Sequence, residues 1–527
     1  MNMGQVFDRA VKRRPKATAI VDRHNDVEYT YQEWYNHATS VASALEEDGI
    51  GAGDRVAAVM RNRAELATLY CASQLLGAVF LPYNYRSSAD ELTYLVNNSG
   101  ADILFFGKTT GDAVTTAYED FADDPDLVSV DEEYDFAVHA NRYFQAEQGD
   151  FEPTIVAANK PSLILHTGGT TGRPKGVLRS HENTYAAAMA HAVQTSWSPG
   201  ETTLGLMSLS HTMGIHGFAA ILLLGGTWVS QWSFSPEQTV SLIEEEKITS
   251  LYLVPTVYHD LTESDIVTEA DFSSVESIAF AGSSMSVPDI RTIEERVDPD
   301  TFVNHYGSTE VYTHTTCDYI NKKTGCAGRA GINTRVRVVE PSDFGELDPT
   351  ATVAATELGE IIVNTDSPEA FQEYLSSEPM ERTVVDGWFF TGDLGYRDEV
   401  GDLFVVGRID DMIISGGENI YPVEVENVLE KHESVTEAAV VGRPSDRWNQ
   451  TVVAFVAFDQ SSDDIDFESF ANTLDTRCQE SGQLADFKRP RKYFFIDHLA
   501  KSNVGKILRK ELQKKDLDIP VHAEVGI

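Results

Sequence analysis

Short apolar runs alternate with amphipathic stretches through the first 160 residues. Residues 55–60 read as a strand, 64–76 carry apolar side chains at helical spacing, and 78–81 return to a strand pattern. Ser88 can cap a helix over 90–96, and 102–106 form the next strand candidate. Strands alternating with helices predict a largely parallel sheet. Residues 111–149 are acidic and weakly patterned, and read as a surface connection. Farther on, 183–195 form an alanine-rich helix, Ser235 caps another with Pro236 at its first position, and 250–254 and 277–280 are buried strands. Past Arg408 an amphipathic helix over 423–431 and strand candidates at 438–441 and 452–456 predict a small α+β unit. The expected fold is therefore a large α/β N-terminal domain with mostly parallel sheets and a smaller α+β C-terminal domain.

Composition narrows the class. A chain of 527 residues is too long for one core, and 42% hydrophobic residues are enough to fold. No apolar run opens the chain, so no secretory leader is expected, and the greasiest stretch, 218–229, is broken by Gly225 and Gly226. A cytoplasmic protein without a membrane span is expected. Cys71, Cys317, Cys326 and Cys478 show no paired spacing, which indicates neither zinc nor a disulfide framework. The formal charge of −42 excludes nucleic acid as a partner, because like charges repel, and fits a solvated surface for a high-salt cytoplasm.

The chemistry concentrates in three places. In the first, the apolar run from Leu163 empties into Thr167-Gly168-Gly169-Thr170-Thr171-Gly172-Arg173-Pro174-Lys175-Gly176. Glycines turn backbone N–H groups toward an anion, threonines add donors and Lys175 adds a mobile charge, which together make a phosphate cradle. A Walker A loop needs a hydroxyl residue after its lysine, but Gly176 follows Lys175. The second is the strand that runs into Asn304-His305-Tyr306-Gly307-Ser308-Thr309-Glu310. Tyr306 offers a flat face for a base, Thr309 a hydroxyl for phosphate and Glu310 a hard oxygen for magnesium; helix capping is the plainer alternative. The third holds Asp393, read as a bidentate acceptor for ribose hydroxyls on a tight turn, or as a residue that only stabilises that turn.

These motifs, in this order, resemble those of the adenylate-forming superfamily, which includes acyl- and aryl-CoA synthetases, firefly-type luciferases and the adenylation domains of peptide synthetases. The C-terminal half looks closest to aryl-CoA ligases of the 4-chlorobenzoate type, through 410–420, 446–450 and 484–490. The resemblance implies that Thr167 to Gly172 and Lys175 hold phosphates, with Gly168 in place of the usual serine. Gly282 and Ser283 match the adenine-side turn, Asn304, Tyr306, Gly307 and Thr309 the nucleotide turn, and Asp393 and Arg408 the ribose set. His211, His305 and Tyr312 border the acyl pocket. His305 replaces an apolar residue there, which hints at a substrate with a polar substituent or at a shorter acid. The domains would be 1–408, a hinge at 409–411 centred on Asp410, and a mobile lid at 412–527. Lys506 on the lid would reach the site during adenylation, although Ala500 stands where the family has proline. Gly416 and Gly417 would line the pantetheine tunnel, and Trp448, Phe487, Arg489 and Arg491 would meet the CoA nucleotide.

The implied reaction joins a carboxylic acid, aromatic or medium to long-chain, to coenzyme A through an acyl-adenylate, releasing AMP and pyrophosphate. Thr170, Thr309, Glu310 and Lys506 would carry catalysis, with magnesium on Glu310. The acid, ATP and CoA are the expected partners, and a homodimer is compatible with them. Two alternatives stay open: an adenylating enzyme with another acceptor, as in a luciferase-like oxygenase or a carrier-protein ligase, and a non-catalytic nucleotide-binding protein.

Overall fold

The computed structural model describes residues 1–527 apart from 146–150, 168–172, 342–346, 376–383, 446, 459–465, 482–483, 502–506 and 515–519. The chain divides into two compact units: Met1–Val336 with Val363–Glu381, and Arg337–Ile362 with Arg382–Ile527. The boundary expected after Arg408 lies within the second unit.

Two sheets build the first unit. In one, Thr301–Tyr306, Ser277–Phe280, Ser250–Leu253, Thr202–Gly205, Thr227–Ser230 and Thr18–Asp22 lie side by side and parallel. Antiparallel strands flank them, Thr315–Cys317 beside Thr301–Tyr306 and Val27–Thr30 beside Thr18–Asp22. The other sheet has Pro161–His166, Val79–Tyr83, Arg55–Val59, Ile103–Phe106 and Asp126–Ser129 in parallel, with Gly176–Ser180 antiparallel to the first of these. The predicted α/β class holds.

Local chemistry sets the element ends. Ser88 and Glu91 form a reciprocal capping box at the start of the helix Ala89–Ser99, which ends at Gly100 in the left-handed region. Ser180 and Asn183 do the same for His181–Gln194. The helix Ala64–Leu76 is buried nearly all round, and its Tyr70 packs edge-on against Phe80 and Phe218.

One expectation is corrected. Residues 111–149 are not mere connection, because they contain the helix Gly111–Ala117 and the strand Asp126–Ser129, which extends the second sheet. Only Val128 and Ser129 of that strand are buried, so a near-edge strand with so little apolar surface leaves almost no periodic signal.

In the second unit, the long hairpin Val435–Ser445 and Asn449–Phe458 carries Lys492–Ile496 parallel to its second strand and Val521–Gly526 beyond. Alternate residues serve opposite faces. Val440, Val452, Ala454 and Phe495 pack with Val425 and Leu474 from the helices Pro422–Leu429 and Phe467–Glu480. Val441, Val453, Phe455 and Phe494 pack with Leu512 of Arg509–Gln513. This is the expected α+β arrangement.

Candidate active site

In the first unit the sequence motifs begin at the carboxyl ends of strands, where open α/β sheets leave room for ligands. Gly282, at φ 94°, and the exposed Ser283 follow Ser277–Phe280, while His305 and Tyr306 end the neighbouring parallel strand. The glycine-rich loop is the tip of a hairpin between Pro161–His166 and Gly176–Ser180. Its base is closed from both sides: the Thr167 N–H donates to the Lys175 carbonyl at 3.0 Å, and the Lys175 N–H to Thr167 Oγ1 at 3.3 Å. Gly168, Gly169, Thr170, Thr171 and Gly172 lie outside the described residues.

The second motif is also a hairpin loop, spanning 307–314 between Thr301–Tyr306 and Thr315–Cys317. Glycine at 307 is obligatory, since a Cβ there would lie 1.8 Å from the Tyr312 carbonyl oxygen. Asn304 donates to the Cys326 carbonyl at 2.9 Å, and Tyr306 meets His314 edge-to-face at 4.7 Å.

Segment 367–375, which carries no sequence motif, ties the two hairpins together. The Phe371 N–H donates to the Glu310 carbonyl at 2.7 Å, while Glu373 and Tyr374 pair with Leu178 and Val177 behind the glycine-rich loop. The Tyr374 hydroxyl donates to Glu310 Oε1 at 2.6 Å, and Lys175 Nζ lies 6.0 Å from the centre of the Tyr374 ring. Beneath them the fully buried Arg179 donates to the Thr309 carbonyl at 2.8 Å and the Glu369 carbonyl at 2.7 Å. Burial lowers Arg179 to about 10, opposed by the charges of Glu369 and Glu310, so it stays cationic at neutral pH. Burial raises Glu369 to about 7, against hydrogen bonds from Asn333 and Thr313. Arg179, Glu369 and Tyr374 have no motif of their own, because only sheet pairing brings them to Thr309 and Glu310.

The expected acyl-pocket residues belong to a buried polar-aromatic cluster. Tyr252 Oη lies 2.6 Å from His305 Nδ1, His305 Nε2 3.2 Å from Thr313 Oγ1, and Tyr312 Oη 2.8 Å from His191 Nδ1. Burial pushes His305 down to about 3, with a smaller repulsion from His314, so the imidazole is neutral. Neutral His305 has one donor and one acceptor nitrogen, and the hydroxyls of Tyr252 and Thr313 can each take either role, so both nitrogens are satisfied. Breaking either bond would orphan a buried polar atom, at a cost of roughly 1–3 kcal/mol. His211 occupies the N-cap position of the helix Thr212–Leu224 without a side-chain cap hydrogen bond; its Nε2 lies 3.3 Å from Asn84 Nδ2, and burial assisted by Arg86 lowers it to about 4. His216 follows His211 by five residues, next to glycines that would suit a turn, but it is helical. It lies inside that mostly apolar helix, buried edge-on against Tyr312 at 4.6 Å.

The second unit carries its own set. Asp393 is not on a tight turn: it lies in the strand Trp388–Arg397, directly opposite Arg408, which donates to it at 2.7 Å. The sequence misled because Gly392 (φ 76°) and the register shift after Leu394 are irregularities inside a strand. Asp410 occupies the one-turn 3-10 helix Ile409–Asp411, 3.9 Å from Arg408. Gly416 and Gly417 both take positive φ, and the Gly416 N–H donates to the Trp448 carbonyl at 2.8 Å. Trp448 and Phe487 are exposed, whereas Arg489 is buried and its guanidinium is engaged by Asp475 and Asp486. Arg491 donates to the Asp486 carbonyl at 3.2 Å. Lys506 lies outside the described residues.

The first unit thus presents a flat ring, a hydroxyl, a mobile cation and a carboxylate around two adjoining hairpin loops, a set suited to a nucleotide with its metal. Among the described residues no three His, Cys, Asp or Glu side chains gather as a metal cage. A lone carboxylate such as Glu310 fits magnesium, which keeps waters and phosphate oxygens as its other ligands.

Comparison with known proteins agrees with this geometry. The family model described as AMP-binding enzyme matches residues 7–375, and that of the AMP-binding enzyme C-terminal domain matches 424–506. A 4-chlorobenzoate–CoA ligase of Arthrobacter sp is 31% identical over 95% of this chain and 93% of its own length. An indoleacetate–CoA ligase of Aromatoleum aromaticum is 32% identical over 98% of both chains. Among solved structures, an o-succinylbenzoate coenzyme A synthetase from Bacillus subtilis, in complex with ATP and a magnesium ion, superposes with a TM-score of 0.82. It shows 26% identity over 97% of this chain and 99% of its own.

Proposed function

The chain belongs to the family of AMP-binding enzymes, and from that membership we infer an AMP-forming acyl- or aryl-CoA synthetase. It uses ATP, magnesium, a carboxylic acid and CoA. The acid attacks the α-phosphorus of ATP to give acyl-AMP and pyrophosphate, and the CoA thiol then displaces AMP.

Attack of one anion on another demands charge neutralisation and alignment more than proton transfer. Lys175 and the glycine-rich loop would neutralise the outer phosphates, Thr309 would donate to the α-phosphate, and Tyr306 would stack on the base. Glu310 would hold the magnesium that comes with ATP, and that ion supplies further positive charge at the phosphates. Asp393, with Arg408 beside it, would accept from the ribose hydroxyls. The observation that carries this reading is the tie from Glu310 through Tyr374 toward Lys175. It brings Glu310, the candidate magnesium ligand, close to Lys175, the candidate phosphate cation more than 130 residues earlier in the chain.

Lys506 as the adenylation lysine, Asp410 as the hinge and Trp448, Phe487, Arg489 and Arg491 as CoA contacts rest on the resemblance. So do a cytoplasmic location, which the four free cysteines suit, and a homodimeric assembly. The test follows pyrophosphate release with ATP and a panel of acids in concentrated salt, for the wild type and Glu310→Gln. Glu310→Gln is expected to lose about 10²–10³ in rate. Wild-type protein silent with every acid would end the proposal. For the lysine, Lys506→Ala should abolish pyrophosphate release yet still convert supplied acyl-AMP to thioester; equal loss in both half-reactions would remove its assignment to one step.

A further inference from the structure

Resting on the synthetase reading of Thr309 and Glu310, we propose that Arg179 is a positioning residue for adenylation. Through the Thr309 carbonyl it fixes the Thr309 hydroxyl and the Glu310 carboxylate where phosphate and magnesium would meet them. Arg179 sits in the strand Gly176–Ser180 with no solvent exposure, while Thr309 and Glu310 are only half-buried. Those two residues lie in the irregular span 307–314, outside the ladder of the flanking strands. Among the described residues Thr309 Oγ1 has no hydrogen-bond partner, so its aim follows the backbone. On that backbone Arg179 Nη1 donates to the Thr309 carbonyl at 2.8 Å, and the Phe371 N–H donates to the Glu310 carbonyl at 2.7 Å. Arg179 Nη2 donates at 2.7 Å to the carbonyl of Glu369, two residues before Phe371. One planar fork therefore sets the distance between the Thr309 turn and the segment that carries Tyr374, whose hydroxyl donates to Glu310 Oε1. The strand that carries the fork begins one residue after Lys175, so the same guanidinium refers that turn to the base of the glycine-rich loop.

Stability alone is a poor reason for a cation at this place. A buried guanidinium loses its hydration, and a carboxylate in contact is what best offsets that loss. Among the described residues Arg179 forms no ion pair, and its two hydrogen bonds go to neutral carbonyls. Its Nε is buried without a partner. The charges of Glu369 and Glu310 act on it only from beyond contact. A side chain kept charged at such a cost, with both terminal nitrogens spent on two backbone segments of the candidate site, fits a group retained for alignment.

The test compares the full chain with Arg179→Met and Arg179→Lys in concentrated salt. It follows pyrophosphate release with ATP and the acid that wild type turns over best, and titrates magnesium. Arg179→Met should lose about 10–100-fold in kcat and raise the magnesium midpoint about tenfold, because Glu310 loses its aim. Arg179→Lys keeps the charge without the planar fork, and both of its values should fall between those of wild type and Arg179→Met. If Arg179→Met fails to fold, as judged by its melting curve, Arg179→Lys carries the test with the same expected direction. A folded variant that loses rate at an unchanged magnesium midpoint would leave Arg179 a packing role and overturn the inference. So would wild-type rate and midpoint in a folded variant, or the failure of both variants to fold. Each of these outcomes leaves the synthetase reading intact. Wild type silent with every acid would defeat that reading, and this inference with it.

Discussion

At the scale of single residues, Glu310 and Lys175 were singled out as candidates by the sequence, because their chemistry stands out against glycine and threonine neighbours. Their partners were not. Tyr374 and Arg179 lie in stretches whose composition is ordinary, and they matter through hydrogen bonds that only the folded sheet creates. A hydroxyl that orients a metal-binding carboxylate is commonly worth about 10–100-fold in metal affinity or activity. Tyr374→Phe is accordingly expected to shift the magnesium dependence of pyrophosphate release about tenfold upward, with the melting temperature little changed. A magnesium midpoint equal to wild type would show that Glu310 needs no such partner. Histidines give a second prediction at this scale. Burial lowers His166, His181 and His211 to about 4 and His305 and His314 to about 3, from an ordinary 6.5. Between those values the unfolded chain binds more protons than the folded one, so stability falls as pH drops below 6.5. The fall ends only where the folded state also takes up its protons. Each such histidine contributes about 1.4 kcal/mol per pH unit in that window. Urea unfolding in concentrated salt, followed downward from neutral pH, should show this slope, and it should be shallower by one proton in His305→Gln.

At the scale of elements, the helix Ala64–Leu76 and the strand Ser277–Phe280 fell where periodicity put them, since a long apolar face or a continuous buried run is a strong signal. The strand Asp126–Ser129 did not, because a near-edge strand with little apolar surface lacks periodicity. The two candidate nucleotide motifs were read as strands that empty into loops, and the strands on either side of each prove to be antiparallel partners, tied by one segment. In such a loop glycine can be required by collision or by backbone angle, and the two differ in consequence. Gly307→Ala would drive a methyl into the Tyr312 carbonyl, which is backbone and cannot step aside. It should cost on the order of 2–4 kcal/mol and abolish adenylation. Gly417→Ala meets nothing within 4 Å and strains only a φ of 89°, at about 1–2 kcal/mol. Thermal melts of both variants would check the ranking, and a Gly307→Ala protein as stable as Gly417→Ala would contradict the close approach.

At the scale of the whole molecule, charge decides what packing leaves open. The chain carries 83 acidic against 41 basic residues, and the motif order that marks the family says nothing about why. Several of the described cations are spent on local pairs, such as Arg23 with Glu246, Arg63 with Asp131 and Arg509 with Glu426, so most carboxylates face solvent and one another. In dilute buffer the Debye length reaches about 30 Å, so carboxylates repel across most of a unit, whereas near 1 M salt it shrinks to about 3 Å and only adjacent charges interact. An exposed ion pair weakens with salt by the same screening, but it is worth at most about 1 kcal/mol. The summed repulsion of the excess charge outweighs that loss, and the melting temperature is expected to rise with potassium chloride into the molar range. Acidification in dilute buffer should at first stabilise the protein by neutralising carboxylates, opposing the histidine effect, and in concentrated salt the histidine slope should emerge, offset in part by Glu369 and Glu430, which burial raises to about 7. A melting temperature indifferent to salt would mean that the acidic surface is balanced locally, and the same outcome would remove the expectation that activity needs a concentrated ionic medium.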